Sequence, residues 1–141
     1  MSQTKNPSTN LEVARLFSSG AFDQVAGRLA ENVEFHIYED DKHLLGKDDV
    51  MEFCHQIAAY FSSVDTDFRE HGFLEAGNKV VVYGYATFKR DGRLVNSVNS
   101  CDVYEFNSDG FAEKIHSYCN SKPEAKKGPT LLSYLICSGV L

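Results

Sequence analysis

The chain has 141 residues, of which 43% are hydrophobic and 24% are charged, and its formal net charge is −6. These values are typical of one soluble globular domain that can bury a core without disulfides or metals. The acidic balance argues against nucleic-acid binding, because phosphate contacts need a basic surface. No apolar run is long enough to cross a membrane. The polar N-terminus has no signal region, so we expect a cytoplasmic protein whose four cysteines are reduced.

The N-terminal half combines helical and strand patterns after a polar leader, residues 1–8, which is expected to be disordered. Apolar residues recur at the spacing of one helix face in three segments, and they alternate with polar residues in another. The predicted elements are a helix from Thr9 to Gly20, a short helix from Phe22 to Leu29, a strand from Val33 to Tyr38, a charged loop from Glu39 to His43 and a helix from Lys47 to Phe61.

The C-terminal half is rich in β-branched and aromatic residues, which favour strands. The predicted strands run from Val64 to Ala76, from Lys79 to Phe88, from Leu94 to Phe106 and from Phe111 to Asn120. Because helices come first and antiparallel strands last, this order predicts an α+β domain over residues 9–121. Residues 122–141 form a separate C-terminal extension, whose apolar end is expected to dock on its own domain or on a partner subunit.

The Asp91-Gly92 pair predicts a tight hairpin, because both residues tolerate the positive φ angles of a type I′ turn. This turn would place Arg90 opposite Arg93 and fix the register of the two strands. Counting outward from that pair, one face of the sheet carries the candidate site residues Tyr83, Tyr85, Val98, Ser100 and Asp102. A buried carboxylate without a partner is costly, so Asp102 is predicted to be either exposed or functional.

Four local strings resemble the nuclear transport factor 2-like superfamily, and in this order they cover residues 9–120. The strings are Gly20–Asp23, Leu29–His36, Leu45–Phe53 and Val103–Gly110. The superfamily includes ketosteroid isomerases, SnoaL-like polyketide cyclases, scytalone dehydratase and limonene epoxide hydrolase. The resemblance implies a cone, in which a strongly curved antiparallel sheet wraps the N-terminal helices and leaves a pocket between them. It also implies a homodimer through the outer sheet face, where Asn99, Cys101 and Val103 are expected.

The resemblance can be checked at the positions that carry catalysis in these enzymes. The general base of ketosteroid isomerases falls on Ile37, and the oxyanion-hole tyrosine falls near Val13. The oxyanion-hole aspartic acid, which its apolar site keeps protonated in those enzymes, matches Asp102. The acid–base aspartate of the polyketide cyclases falls on Asn120. Both enzyme templates therefore lose their base in this chain, and the steroid isomerase reaction is not expected.

Asp102 is the first catalytic candidate, as an acid or hydrogen-bond donor to an enolate oxygen, with Tyr83 or Tyr85 assisting. The alternative is an aspartate that a neighbouring hydroxyl or backbone amide satisfies in a purely structural role, beside tyrosines that only line a core. The expected ligand-binding residues face the predicted pocket and are Phe35, Ile37, Phe53, Ile57, Val98, Ser100, Ile115, Ser117 and Cys119.

No metal is expected, because no three candidate ligands have a known metal-binding spacing, and His36 and His116 are predicted on the outer face. No cofactor is expected either, since the chain has no glycine-rich phosphate cradle. Two functions remain open. One is a lyase or isomerase of a small hydrophobic carbonyl compound, which needs a second titratable group near Asp102. The other is a non-catalytic pocket or scaffold that binds an apolar ligand or a protein.

Overall fold

The computed structural model describes residues 9–122, so the predicted leader and all but the first residue of the C-terminal extension lie outside the described residues. Two helices and six strands make up the domain, as the α+β prediction requires. The helices are α1, Asn10–Ser18, and α2, Lys47–Ser63; the strands are β1, Leu29–Ile37, β2, Lys42–Leu45, β3, Asp65–Ala76, β4, Lys79–Arg90, β5, Arg93–Phe106, and β6, Ala112–Ser121.

Helix α1 begins and ends where its sequence predicts. The Thr9 side chain accepts a hydrogen bond from the backbone N–H of Glu12 at 3.0 Å, which satisfies one of the unpaired donors of the first turn. Gly20, with φ of 93°, follows the helix in a conformation that glycine adopts without strain. The predicted helix from Phe22 to Leu29 is wrong: this segment forms two short 3₁₀ turns, and Leu29 already opens β1.

The sheet has the strand order β2-β1-β6-β5-β4-β3 and is curved without closing into a barrel. Strand β1 pairs parallel with β6, whereas the other neighbours are antiparallel, so the sheet is mixed rather than purely antiparallel. Strand β2 was missed by sequence reasoning, because its four residues begin inside the charged loop predicted at Glu39–His43. It pairs with β1 at the edge of the sheet.

The β4–β5 hairpin turns at the predicted residues. Asp91 and Gly92 have φ angles of 53° and 78°, and Arg90 pairs with Arg93. The register beyond the turn, however, is not the predicted one. Lys89 pairs with Leu94 but Phe88 pairs with Asn96.

The cause is a β-bulge that inserts one extra residue into β5 next to the turn. Beyond the bulge, each residue of β5 pairs with a residue of β4 that is one position away from the predicted partner. Side chains of β4 and β5 that were predicted to share a face therefore lie on opposite faces. Asp102 therefore pairs with Val82, and Tyr83 pairs with Cys101. The prediction that Tyr83 and Tyr85 share a face with Asp102 is wrong.

The core lies between the concave inner face of the sheet and the two helices. The inner side chains of β4 and β5 are buried, among them Val80, Phe88, Tyr104 and Phe106, each exposed by 1% or less. Helix α1 contributes Phe17, whose ring meets the rings of residues from two different strands, β1 and β5, edge to face. The outer face of the same strands carries polar and aromatic side chains, including Tyr83, which is 43% exposed.

Candidate functional site

A cavity of about 80 Å³ opens between α1, α2 and the inner face of the sheet. Most of its wall is apolar, and its polar groups cluster where β5 and β6 face the C-terminal end of α1. It is lined by Phe17, Ser18, Phe22, Phe35, Ile37, Ile57, Phe61, Phe68, Ala86, Phe88, Val98, Ser100, Asp102, Ser117 and Cys119. Ligand pockets of drug size have volumes of about 300–1,000 Å³, so this cavity suits a small molecule.

Most of the predicted ligand-binding residues lie in this wall, but two do not. Those in the wall are Phe35, Ile37, Ile57, Val98, Ser100, Ser117 and Cys119. Phe53 packs instead against the ring of Phe35, with the Lys42 ammonium 5.4 Å from its own ring centre. Ile115 is 1% exposed and belongs to the core outside the cavity. Neither residue is placed to touch a ligand in this cavity.

Asp102 is the carboxyl group of the cavity wall. It is 9% exposed, and both of its oxygens accept a hydrogen bond from a serine hydroxyl: Ser18 at 2.7 Å and Ser117 at 2.8 Å. Burial raises the pKa of Asp102 from 3.8 to about 6, while the two serine hydrogen bonds act to lower it. The loss of hydration therefore outweighs the stabilisation of the charged form.

Tyr104 extends this network away from the cavity. Its hydroxyl lies 2.6 Å from the Ser18 hydroxyl, and the side chain is completely buried. Burial raises the pKa of Tyr104 well above its usual value, so the phenol keeps its proton and needs an acceptor. Within residues 9–122 the structure gives that hydroxyl no other hydrogen-bond partner. The chain of donors therefore runs from Tyr104 to Ser18 and from Ser18 to Asp102.

This direction decides where Asp102 holds its proton. If a protonated Asp102 donated to Ser18, the serine would lose Asp102 as the acceptor of its own proton. Either that proton would stay unpaired, or Ser18 would donate it to Tyr104 and the buried phenol would have no acceptor, and each case costs about 1–3 kcal/mol. On the other side, Ser117 donates to Asp102 and its oxygen lies 3.4 Å from the Cys119 thiol. A proton on Asp102 is therefore available on the other side, either to Ser117, which could then donate to Cys119, or to the cavity.

Two members of this network were not foreseen. Tyr104 could have been, because it lies two residues after Asp102 on the same strand and so shares its face. Ser18 could not, because only the packing of α1 against the sheet shows which strand residue it meets. The positions that carry the base or the oxyanion-hole tyrosine in the related enzymes hold no such group here. Val13 is fully buried, Ile37 lines the cavity, and Asn120 lies on the exposed side of β6.

The histidines of the sheet lie outside this site. The ring of His36 stacks on Tyr38, and His116 contacts both Tyr38 and Glu105, all on the outer face. The predicted position of His36 and His116 is thus confirmed. In the part of the chain that the structure describes, no three His, Cys, Asp or Glu side chains are grouped to hold a metal ion. Over the same residues no helix has both the length and the apolar composition of a membrane span.

Comparisons with known proteins agree with this fold. The family model described as the SnoaL-like domain matches residues 11–115, and no curated protein matches the chain. An NTF2-like protein of unknown function from Cytophaga hutchinsonii is 25% identical, with a TM-score of 0.71 over 82% of this chain and 100% of that one. A candidate ketosteroid isomerase from Kribbella flavida is 18% identical, with a TM-score of 0.59 over 86% and 82%. A candidate SnoaL-like polyketide cyclase from Shewanella denitrificans is 12% identical, with a TM-score of 0.62 over 79% and 90%.

Proposed function

Because the chain belongs to the SnoaL-like domain family, we propose that its cavity binds a small apolar carbonyl compound and that Asp102 transfers a proton on this compound. The observation that carries the proposal is the buried Asp102 carboxyl, with its pKa of about 6, in the wall of an otherwise apolar cavity. A general acid or base is most effective when its pKa lies near the working pH. Both protonation states of Asp102 are then accessible.

The proposed reaction is an isomerisation through an enolate. The Asp102 carboxylate takes the proton from a carbon next to the carbonyl, and the electron pair of that C–H bond moves to the carbonyl oxygen. The protonated Asp102 then returns the proton to the same molecule, at this carbon or at another one. Such a cycle needs no second base, because one carboxyl group takes the proton and gives it back. This fits a cavity in which the template base position is Ile37.

Ser100 is our candidate donor to the developing oxyanion. It lies two residues before Asp102 on β5, so it shares the inner face, and it lines the cavity. Ser18 and Ser117 already donate to Asp102, which leaves Ser100 as the hydroxyl with a proton to offer. One well-placed oxyanion donor stabilises the transition state by about 2.7–4 kcal/mol.

A second candidate function, non-catalytic binding of the same class of ligand, is favoured by one observation. Among the described lining residues, Cys119 is the only titratable group besides Asp102. A binding site needs only an apolar shape and a few polar anchors, and this cavity has both. The two candidates differ in one measurable property, which is whether carbon-bound hydrogen of the ligand exchanges with water.

The test is deuterium uptake by cyclopentanone and 2-pentanone in D₂O, followed by proton NMR with and without the protein. We expect exchange next to the carbonyl to be faster with the wild type and to fall by about 10²- to 10⁴-fold in Asp102→Asn. The rate should rise with pH through about 6, because the base must be ionised. The matched control is Glu105→Gln, which removes a carboxylate from the outer face of the same strand and should leave the rate unchanged.

The remaining outcomes separate the two candidates. Saturation-transfer contacts to the ketones without any exchange would assign the cavity to non-catalytic binding. If the ketones neither bind nor exchange, both candidates are wrong. Equal exchange by wild type and Asp102→Asn would place any activity outside this cavity.

A further inference from the structure

The cavity that contains Asp102 has a neighbouring pocket. A second pocket of about 40 Å³ adjoins it, and the two share Ser18, Phe68 and Ser100 in their walls. The second pocket runs along α1 toward the earlier turn of that helix and is bounded on the sheet side by residues of β3 and β4. Because Arg15 and Ser18 are three residues apart, they lie on the same face of the helix, separated by a rise of about 4.5 Å.

An ion pair forms the far wall of this second pocket. The Nε of Arg15 donates to Oε1 of Glu70 at 2.8 Å, and the guanidinium lies over the ring of Phe73, with its carbon 5.1 Å from the ring centre. The Arg15 and Glu70 side chains are 48% and 30% exposed. Contacts on the Nε edge and on one face hold the plane of the guanidinium in place.

Both members of the pair keep hydrogen-bonding capacity. A guanidinium has five N–H donors and a carboxylate has two acceptor oxygens, and the bond between Arg15 and Glu70 uses one of each. Within residues 9–122, the structure gives the terminal nitrogens of Arg15 and Oε2 of Glu70 no other partner. The pocket therefore ends in a donor beside an acceptor.

A neutral hydroxyl group fits this end best. It can accept from Arg15 and donate to Glu70 at the same time, whereas an apolar group leaves both unsatisfied. A carboxylate would meet the negative charge of Glu70 next to the positive charge of Arg15, and these two charges largely cancel. The other arginine of the wall, Arg69, is itself paired with Asp67. The pair thus selects a polar neutral end rather than an anionic or an apolar one.

We propose that the ligand is an elongated hydroxy ketone, with its carbonyl group at Asp102 in the first cavity and its hydroxyl group between Arg15 and Glu70 in the second. This inference rests on the proposed function, since it takes the carbonyl position from there. It adds the chemical class of the ligand and the residues that recognise its other end. Ser100 lies in the wall of both pockets, between the two proposed ends of the ligand.

The probes are 2-heptanone and 7-hydroxy-2-heptanone, which differ only by the terminal hydroxyl. Their dissociation constants are measured by NMR titration against the full chain. A hydrogen bond to a charged group should make the hydroxy ketone bind about tenfold more tightly. In Arg15→Met, which keeps an apolar stem over Phe73, the two ketones should bind alike. An exposed ion pair contributes little to stability, so this variant is expected to fold.

The matched control is Arg93→Met, which removes the same charge in the exposed β4–β5 turn and should keep the tenfold preference. Equal affinity of the wild type for both ketones would overturn the hydroxyl site while leaving the proposed carbonyl site in place. A preference that survives in Arg15→Met would also overturn it. If neither ketone binds, the proposed function fails, and this inference fails with it.

Discussion

The two faces of the same three strands, β4, β5 and β6, give similar side chains different surroundings. On the inner face, the hydrogen-bond partners of the Asp102 carboxyl within residues 9–122 are two serine hydroxyls, and 9% of the residue is exposed. On the outer face, the Glu105 carboxylate accepts a hydrogen bond from His116 at 3.0 Å, and its side chain is 27% exposed. Position relative to the curved sheet, rather than residue type, decides which carboxyl group lines the cavity.

The outer face has an aromatic layer of tyrosine and histidine rings, whereas the aromatic residues of the cavity wall are phenylalanines. The ring of Tyr38 stacks on that of Tyr118 at 4.6 Å and on that of His36 at 3.8 Å, and its hydroxyl lies 2.9 Å from Nδ1 of His116. Tyr38 and Tyr118 remain 37% and 47% exposed. The tyrosine rings of this layer are partly exposed to solvent, whereas Asp102 in the inner network is buried and its pKa is raised by that burial.

The largest expected effect concerns the cost of burying Asp102. Its pKa is about 6 in the folded protein and 3.8 in the unfolded chain. Between these values the unfolded chain loses its proton while the folded protein keeps it, so folding stability falls as pH rises through this range and is then constant. The loss amounts to about 3 kcal/mol at neutral pH. Asp102→Asn, whose amide stays neutral, should therefore be more stable than the wild type by up to that amount.

Urea unfolding at about pH 4.5 and about pH 8 measures this difference. The stabilisation by Asp102→Asn should be larger at the higher pH, because the wild-type residue is then charged. Glu105→Gln, its counterpart on the outer face, removes a partly exposed pair with His116 and should change stability by about 1 kcal/mol or less. A stability gain that does not depend on pH, or no gain at all, would contradict the assignment of Asp102 as the buried acid.

The sequence alone predicts α1, α2, five of the six strands and the face alternation of β1 and β6, because periodicity reports burial directly. The same periodicity wrongly predicts a helix from Phe22 to Leu29, where the chain forms 3₁₀ turns. It cannot predict the bulge in β5, since Val95 looks like any other strand residue. That single insertion moved Tyr83 and Tyr85 away from Asp102. The sequence could not predict Ser18 as a partner of Asp102 for a related reason. The two residues are 84 positions apart, and the packing of α1 on the sheet brings them together.

A smaller effect should come from the direction of the inner hydrogen bonds. Tyr104→Phe removes the donor to Ser18, and without it the hydrogen bond from Ser18 to the Asp102 carboxylate should be weaker. The charged form is then less well stabilised, so the pKa of Asp102 should rise further above its value in the wild type. Ser117→Ala should raise this pKa as well, because it removes a donor to the carboxylate. The carboxyl ¹³C shift of Asp102, followed against pH, reports both changes.

The outer face offers the matched control for that experiment. Tyr118→Phe removes a phenol hydroxyl from a half-exposed ring and should leave the titration of Asp102 where it is in the wild type. An unchanged or lowered pKa in Tyr104→Phe would mean that the buried phenol does not set the direction of the Ser18 hydrogen bond. A proton on Asp102 would then be available to Ser18 as well.

The smallest expected effect belongs to the outer pair of His116 and Glu105, and it also tests the proposed homodimer. In a monomer this partly exposed pair should have a coupling energy of about 0.2–1 kcal/mol in a double-mutant cycle of His116→Gln and Glu105→Gln. If two copies meet through this face, the pair is buried between them, and the coupling should increase with protein concentration as dimers form.

Tyr118→Glu places a new charge in the same layer and, if the dimer forms there, should lower the mass measured by light scattering. A coupling that stays constant over all concentrations, with a monomeric mass throughout, would contradict the expected homodimer. The aromatic layer would then be solvent-exposed surface.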